Sequence, residues 1–234
     1  MAEPEFHRYE TREALAEALA SGVAAVLAGA IATEGVARLA VSGGSTPKRF
    51  FERLAQAEID WADVTITLVD ERWVPEDSER SNAAMLRRHL LAGPAAAARF
   101  VPFYEPSAMP EEVFDTLNDR FHRIGRAFDV VILGMGTDGH TASWFPNAPG
   151  LAQCLDPATD DTVAIAHPPS QDEPRVTLTF PLVVDARFLA LHIEGEEKLQ
   201  TFAAAKGEGP VEEMPVRAVL QADRREPLQV FWAP

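Results

Sequence analysis

One run of sequence limits the folds open to this chain. Phe128-Asp129-Val130-Val131-Ile132-Leu133 passes without a break into Gly134-Met135-Gly136-Thr137-Asp138-Gly139-His140. Apolar residues in unbroken succession, rather than alternating with polar ones, mark a strand covered on both faces, the habit of parallel sheets under helices. Gly134, Gly136 and Gly139 then let the backbone turn sharply and approach a ligand closely. Asp138 and His140 are set into that turn. Loops at the carboxyl ends of parallel strands are where open α/β sheets carry their sites, so the run is a site candidate as well as a fold signal.

In form, Gly134-x-Gly136-x-x-Gly139 behind a strand also matches the dinucleotide fingerprint. That fingerprint needs a helix opening at the third glycine and an acidic residue after the next strand. Pro146 and Pro149 interrupt such a helix, and Asp160 and Asp161 stand before an apolar run rather than after one. The context therefore argues against a nicotinamide cofactor.

The rest of the chain alternates strand-like and helix-like stretches. Residues 12–32 read as an alanine-rich helix with Thr11 as N-cap. A strand over 37–42 runs into Gly43-Gly44-Ser45-Thr46-Pro47, and helical spacing follows from Lys48. Strand, glycine turn, hydroxyl residues and then Pro at a helix start bring free N–H groups and the positive end of a helix dipole to one point. Ser42, Ser45 and Thr46 add hydroxyl donors. An ordinary turn with a Ser or Thr cap fits the same residues, and this stretch alone does not choose between the two.

A second strand over 64–69 ends in Asp70-Glu71-Arg72-Trp73. Arg72 there suits a developing oxyanion or a phosphate, against the plainer reading of a surface pair with Asp70 or Glu71. Ser81-Asn82 caps a helix, a short strand spans 99–103, and an amphipathic helix spans 110–127. Further strands are expected over 163–166, 175–180 and 186–193, with helices from Glu196 and over 215–221 and a closing strand over 228–232. Lys198, in a first helical turn, opposes the helix dipole; a bound anion offsets that conflict, and so does a pair with Glu194 or Glu197. His192 lies inside an apolar run and reads as a packed core histidine, while His89 and His122 read as helix-face residues. Such alternation predicts one three-layer α/β domain over 1–234 with a mostly parallel, doubly wound sheet.

Charge narrows the ligands. Thirty-six acids against 21 bases give a formal charge of −15. Such a surface repels nucleic acid and anionic membrane, so an anionic ligand needs a local positive pocket. The uncharged run 18–32 falls short of the ~20 residues that span a bilayer. Glu3 and Glu5 break any signal-peptide layout. Cys154 is the single cysteine, which leaves no internal disulfide and fits a reducing cytoplasm. The six histidines show no His-Glu-x-x-His spacing, so no metal is expected.

Together AVSGGSTP, LVDERWVP followed by SN, GMGTDGHTASWFP, RVTLTFP and GEEKL resemble the 6-phosphogluconolactonase family, spread in that family's order from about residue 40 to about residue 200. The resemblance implies hydrolysis of 6-phospho-D-glucono-1,5-lactone, the second step of the oxidative pentose phosphate pathway, without metal or other cofactor. It implies the modified Rossmann-like fold shared with glucosamine-6-phosphate deaminases and ribose-5-phosphate isomerases. The implied partner is a small phosphosugar lactone, with no nucleic acid or membrane, for a cytoplasmic monomer or small homo-oligomer. Trp144, where the family more often has Leu, and Thr137, where Pro is common, depart from the pattern.

On that resemblance the phosphate docks on Ser42, Gly43, Gly44, Ser45 and Thr46, with Arg175 and Lys198 as cationic partners. His140 is the general base. Asp138 either orients the imidazole or contacts the substrate, and Arg72 or the N–H groups of the Gly134, Gly136 and Gly139 loop stabilise the oxyanion. Three rivals stand beside this reading. Deaminases usually continue the His loop as Ile-Ala-Phe-Asn-Glu-Pro, with a carboxylate that Thr-Ala-Ser-Trp-Phe-Pro lacks. A Ser143 acyl-enzyme lacks the Gly-x-Ser-x-Gly elbow. A non-catalytic phosphosugar sensor usually carries a DNA-binding helix pair, for which this chain has neither basic patch nor spare length.

Overall fold

The computed structural model describes residues 3–125, 127–169 and 173–234. In chain order the strands are β1 (Glu5–Arg8), β2 (Ala37–Val41), β3 (Val64–Leu68), β4 (Asp70–Arg72), β5 (Arg99–Val101), β6 (Val130–Leu133), β7 (Val163–Ala166), β8 (Arg175–Leu178), β9 (Phe188–Glu194) and β10 (Gln229–Ala233). The helices are α1 (Arg12–Glu34), α2 (Lys48–Leu54), α3 (Asn82–His89), α4 (Phe114–His122), α5 (Leu151–Leu155), α6 (Phe180–Val184), α7 (Glu196–Ala205) and α8 (Val216–Leu220).

Seven strands form a wholly parallel sheet in the order β1-β10-β9-β6-β2-β3-β5. Its central strands are buried along their length, as the unbroken apolar run of β6 requires. The Thr11 hydroxyl accepts the Ala14 N–H at 3.1 Å at the start of α1, and Gly35 closes that helix at φ 74°. Length and composition alone would let α1 cross a bilayer, but here its row Leu15, Leu19, Val23 and Leu27 is buried in the core.

The order of the sheet locates the site. From β2 the chain adds β3 and then β5 on one side, and afterwards returns to lay β6 against the other edge of β2. Such a reversal opens a crevice beyond the carboxyl ends of the two strands where it occurs. Those ends lead into Ser42 and Gly134, and the Gly134 N–H donates to Ser42 Oγ at 2.9 Å. The two glycine loops are therefore joined at their roots.

A second, antiparallel sheet, β4-β8-β7, does not follow from the periodicity of the sequence. Val69, the one residue between β3 and β4, ties the sheets together. Its N–H donates to Val41 O at 2.9 Å, and its carbonyl accepts from Leu178 N at 2.8 Å. Other boundaries also shift. Phe180 opens α6 rather than ending β8, because Pro181 suits a first helical turn. The helix expected over 110–127 starts as a 3₁₀ turn, Pro110–Val113, and ends at His122; Arg126 lies outside the described residues. The edge strand β1 is an addition.

Candidate active site

A cleft of about 240 Å³ opens at the carboxyl ends of β2, β6 and β9. Ser42, Gly43, Gly44, Ser45 and Thr46 line it after β2, and Gly134, Gly136 and His140 line it after β6. Arg72 from β4, Arg175 from β8 and Lys198 from α7 complete the expected set. Asp138 and Gly139 are outside the lining. Asp138 backs the imidazole, and at Gly139, φ 82°, an added Cβ would lie 2.9 Å from the Met214 side chain.

Asp138 Oδ1 lies 2.6 Å from His140 Nδ1 and also accepts the His140 N–H at 3.1 Å. Taking the carboxylate as acceptor assigns the ring proton to Nδ1 and leaves Nε2 as the basic nitrogen. Burial pushes the Asp138 carboxyl up, but the hydrogen bond and the electrostatic attraction of His140 outweigh it and hold the group at about 2. Asp138 thus remains an acceptor throughout the neutral range. Gly136 makes the pairing possible, since a Cβ there would lie 2.1 Å from His140 Nδ1 and 2.4 Å from Asp138 Oδ1. The turn is closed by Gly136 N–H to His140 O at 2.8 Å and by the Thr141 hydroxyl to Gly134 O at 2.7 Å. The Phe145 ring stands 4.8 Å from the His140 ring, centroid to centroid, and the Arg175 guanidinium 5.7 Å from the same Phe145 centroid.

The small sheet supplies two of the three cations. β4 and β8 pair so that Arg72 lies directly opposite Arg175. Like charges in that position repel, and an anion in the cleft relieves the repulsion. The Arg72 guanidinium makes no surface pair with Asp70 or Glu71. Its Nη1 donates to Arg80 O at 2.7 Å and to Asn82 Oδ1 at 2.9 Å, while its Nε is buried with no hydrogen-bond partner among the described residues. Burial pushes the Arg175 guanidinium down, and Asp70, 3.9 Å away, pulls it back up.

Glu71 explains why these groups stay in place. Its buried carboxylate accepts the N–H groups of Arg72, Asn82 and Ala83, pinning the start of α3 to β4. Burial still pushes its carboxyl up. Asn82 is thereby held over the first glycine loop, where a Cβ at Gly43 would come within 2.1 Å of its side chain.

Lys198 settles on neither carboxylate considered from sequence. Its Nζ donates to Met135 O, inside the His140 loop; burial lowers its pKa, and Asp138 and Glu197 pull it up. His192 is buried, as expected of a core histidine, with Nε2 at 3.2 Å from Glu194 Oε1 and its ring edge-on to Phe50. It also lines the cleft, as do Glu194, Asp70, Asn82 and Phe145. Sequence reasoning missed these as lining residues, because only the folded register brings them to one place. Ser143 is fully buried, and its hydroxyl donates to Asp70 Oδ2 at 2.6 Å. Among the described residues, no group of three or more His, Cys, Asp or Glu side chains is placed to hold a metal ion.

A family model described as glucosamine-6-phosphate isomerases/6-phosphogluconolactonase matches residues 10–232. The chain is 49% identical to a 6-phosphogluconolactonase of Rhizobium meliloti strain 1021, over 97% of this chain and 98% of that one. It is 48% identical to one of Mesorhizobium japonicum, over 98% and 95% of the two chains. The crystal structure of a 6-phosphogluconolactonase from Shewanella baltica OS155 superposes with a TM-score of 0.95 at 40% identity, covering 99% of this chain and 98% of that one. With both glycine loops, the opposed arginines and the His140–Asp138 pair inside the matched span, the chain belongs to the glucosamine-6-phosphate isomerase/6-phosphogluconolactonase family.

Proposed function

We propose that this chain hydrolyses 6-phospho-D-glucono-1,5-lactone to 6-phospho-D-gluconate, in the oxidative pentose phosphate pathway. The observation that carries the reading is a carboxylate-backed imidazole sharing one cleft with a hydroxyl–glycine loop and three cationic side chains. The names of its relatives support the lactone as substrate.

The phosphate docks on Ser42, Gly43, Gly44, Ser45 and Thr46 beside Arg175 and Lys198, so that binding energy far from the ester is turned into orientation. His140 Nε2 takes a proton from water as the water oxygen bonds to C1. Asp138 fixes the tautomer and stabilises the imidazolium. Arg72 meets the charge that develops on the carbonyl oxygen. As the intermediate collapses, the bond from C1 to the ring oxygen breaks, and the imidazolium returns its proton to that oxygen. The buried Ser143 hydroxyl, committed to Asp70, speaks against an acyl-enzyme. The absence of a carboxylate in Thr141-Ala142-Ser143-Trp144-Phe145-Pro146 speaks against deamination, which needs further proton carriers.

The test is to generate the phospholactone freshly and follow its loss with and without protein, with glucosamine 6-phosphate assayed in parallel. Accelerated lactone loss is expected. Ammonia release with lactone decay unchanged reassigns the chain to deamination, and tight binding with neither reaction reassigns it to sensing.

Two substitutions probe the anchor. Arg175→Ala should raise KM by about tenfold or more and change kcat much less, the pattern of a lost ground-state contact. Gly43→Ala places a methyl group against Asn82, which displaces one of the two partners that hold Arg72. Its kcat/KM should fall about tenfold and its unfolding midpoint should drop as well, because the displaced Asn82 amide is buried and donates to Asp70 O. Values matching the unmodified protein refute the Asn82 contact as a constraint.

A further inference from the structure

The anchor loop and the His140 loop are not independent. Ser42, first residue of the anchor, accepts the N–H of Gly134, first residue of the His140 loop, at 2.9 Å. Lys198 lines the cleft and donates to Met135 O within that same loop. Beyond it, the Thr201 hydroxyl reaches Thr137 O at 3.2 Å, and the Val216 N–H reaches Gly139 O at 2.9 Å. Alternate carbonyls of the catalytic loop, at Met135, Thr137 and Gly139, thus all rest on the segment from α7 to α8. Of Lys198, Thr201 and Val216, only Lys198 also lines the cleft.

An ammonium has three donors, so Lys198 can keep Met135 O and bind an anion at the same time. Its charge also acts on Asp138, the carboxylate that backs His140. An anion beside Lys198 offsets its charge near Asp138, whose Oδ1 is already paired with His140 Nδ1 at 2.6 Å. It also fixes the ammonium, and with it the loop carbonyl that the ammonium holds.

We propose that a phosphate group in the Ser42–Thr46 loop acts as an activator as well as an anchor, setting the His140 loop through Lys198. Resting on the lactonase reading, this adds a coupling between two parts of one site. Energetic couplings of this kind typically amount to about 5- to 150-fold.

The experiment separates the two parts of the substrate. Unphosphorylated D-glucono-1,5-lactone is offered to the whole protein with and without phosphite dianion, which fills the anchor and carries no ester. Phosphite should raise kcat/KM for this lactone by about fivefold or more in the unmodified protein. In Lys198→Met the ratio with and without phosphite should fall to about one, and in Lys198→Arg it should partly return. No activation in a protein that does hydrolyse the phospholactone overturns the coupling and leaves the lactonase reading intact. Equal activation in Lys198→Met overturns the route through Lys198. A protein inert toward the phospholactone overturns the function itself.

A second measurement does not depend on the variants folding. Saturating inorganic phosphate should slow amide hydrogen exchange across residues 134–140 of the unmodified protein, and unchanged exchange with phosphate bound overturns the proposal.

Discussion

Trp144→Ala is expected to lower the free energy of unfolding by ~3–5 kcal/mol, the cost of deleting a large buried aromatic side chain and leaving a cavity. Trp144 is fully buried, four residues after His140, and its indole N–H donates to Leu178 O at 3.1 Å. It therefore rivets the catalytic loop to the small antiparallel sheet, the sheet that presents Arg72 and Arg175. Truncation removes the packing and also leaves a buried carbonyl short of one donor. Urea unfolding should show a lower midpoint with the slope little changed. A loss below about 1 kcal/mol means that the loop is held chiefly by its other bonds. Trp144→Leu should recover part of the packing but not the hydrogen bond to Leu178 O.

The central sheet was legible because burial on both faces leaves a mark in the sequence. β6 is an unbroken apolar run, β2, β3 and β9 are mostly apolar, and a glycine turn follows β2, β6 and β9. The small sheet was not legible. β4 is Asp-Glu-Arg, three polar residues whose partner strand lies about a hundred positions later, and no local periodicity encodes a pairing of that range. The same gap hid the opposition of Arg72 and Arg175, which depends on register alone.

Within the site, the division is similar. The His140 loop and the Ser42–Thr46 loop could be read from glycine, hydroxyl and imidazole placement. Asn82, visible only as part of a helix cap, turned out to hold Arg72, and Gly43 is required by that contact rather than by an unusual backbone angle. His192 was rightly read as buried, but its position on the cleft wall needed the fold.

The largest effect on turnover is expected from His140→Ala. The ring supplies the proton acceptor for water and the donor for the departing ring oxygen, so its loss should cost about 10²- to 10⁴-fold in kcat. The anchor is built from other residues, so affinity for 6-phosphogluconate should stay within about threefold. Asp138→Ala should lie between this variant and the unmodified protein, since the imidazole remains but loses its fixed tautomer.

The decisive measurement is the single-turnover rate of phospholactone opening by His140→Ala, corrected for spontaneous decay, beside its dissociation constant for 6-phosphogluconate. The expected result is a rate near the spontaneous background with binding intact. Ring opening within about threefold of the unmodified protein, with binding equally intact, contradicts a mechanism that begins at His140 Nε2.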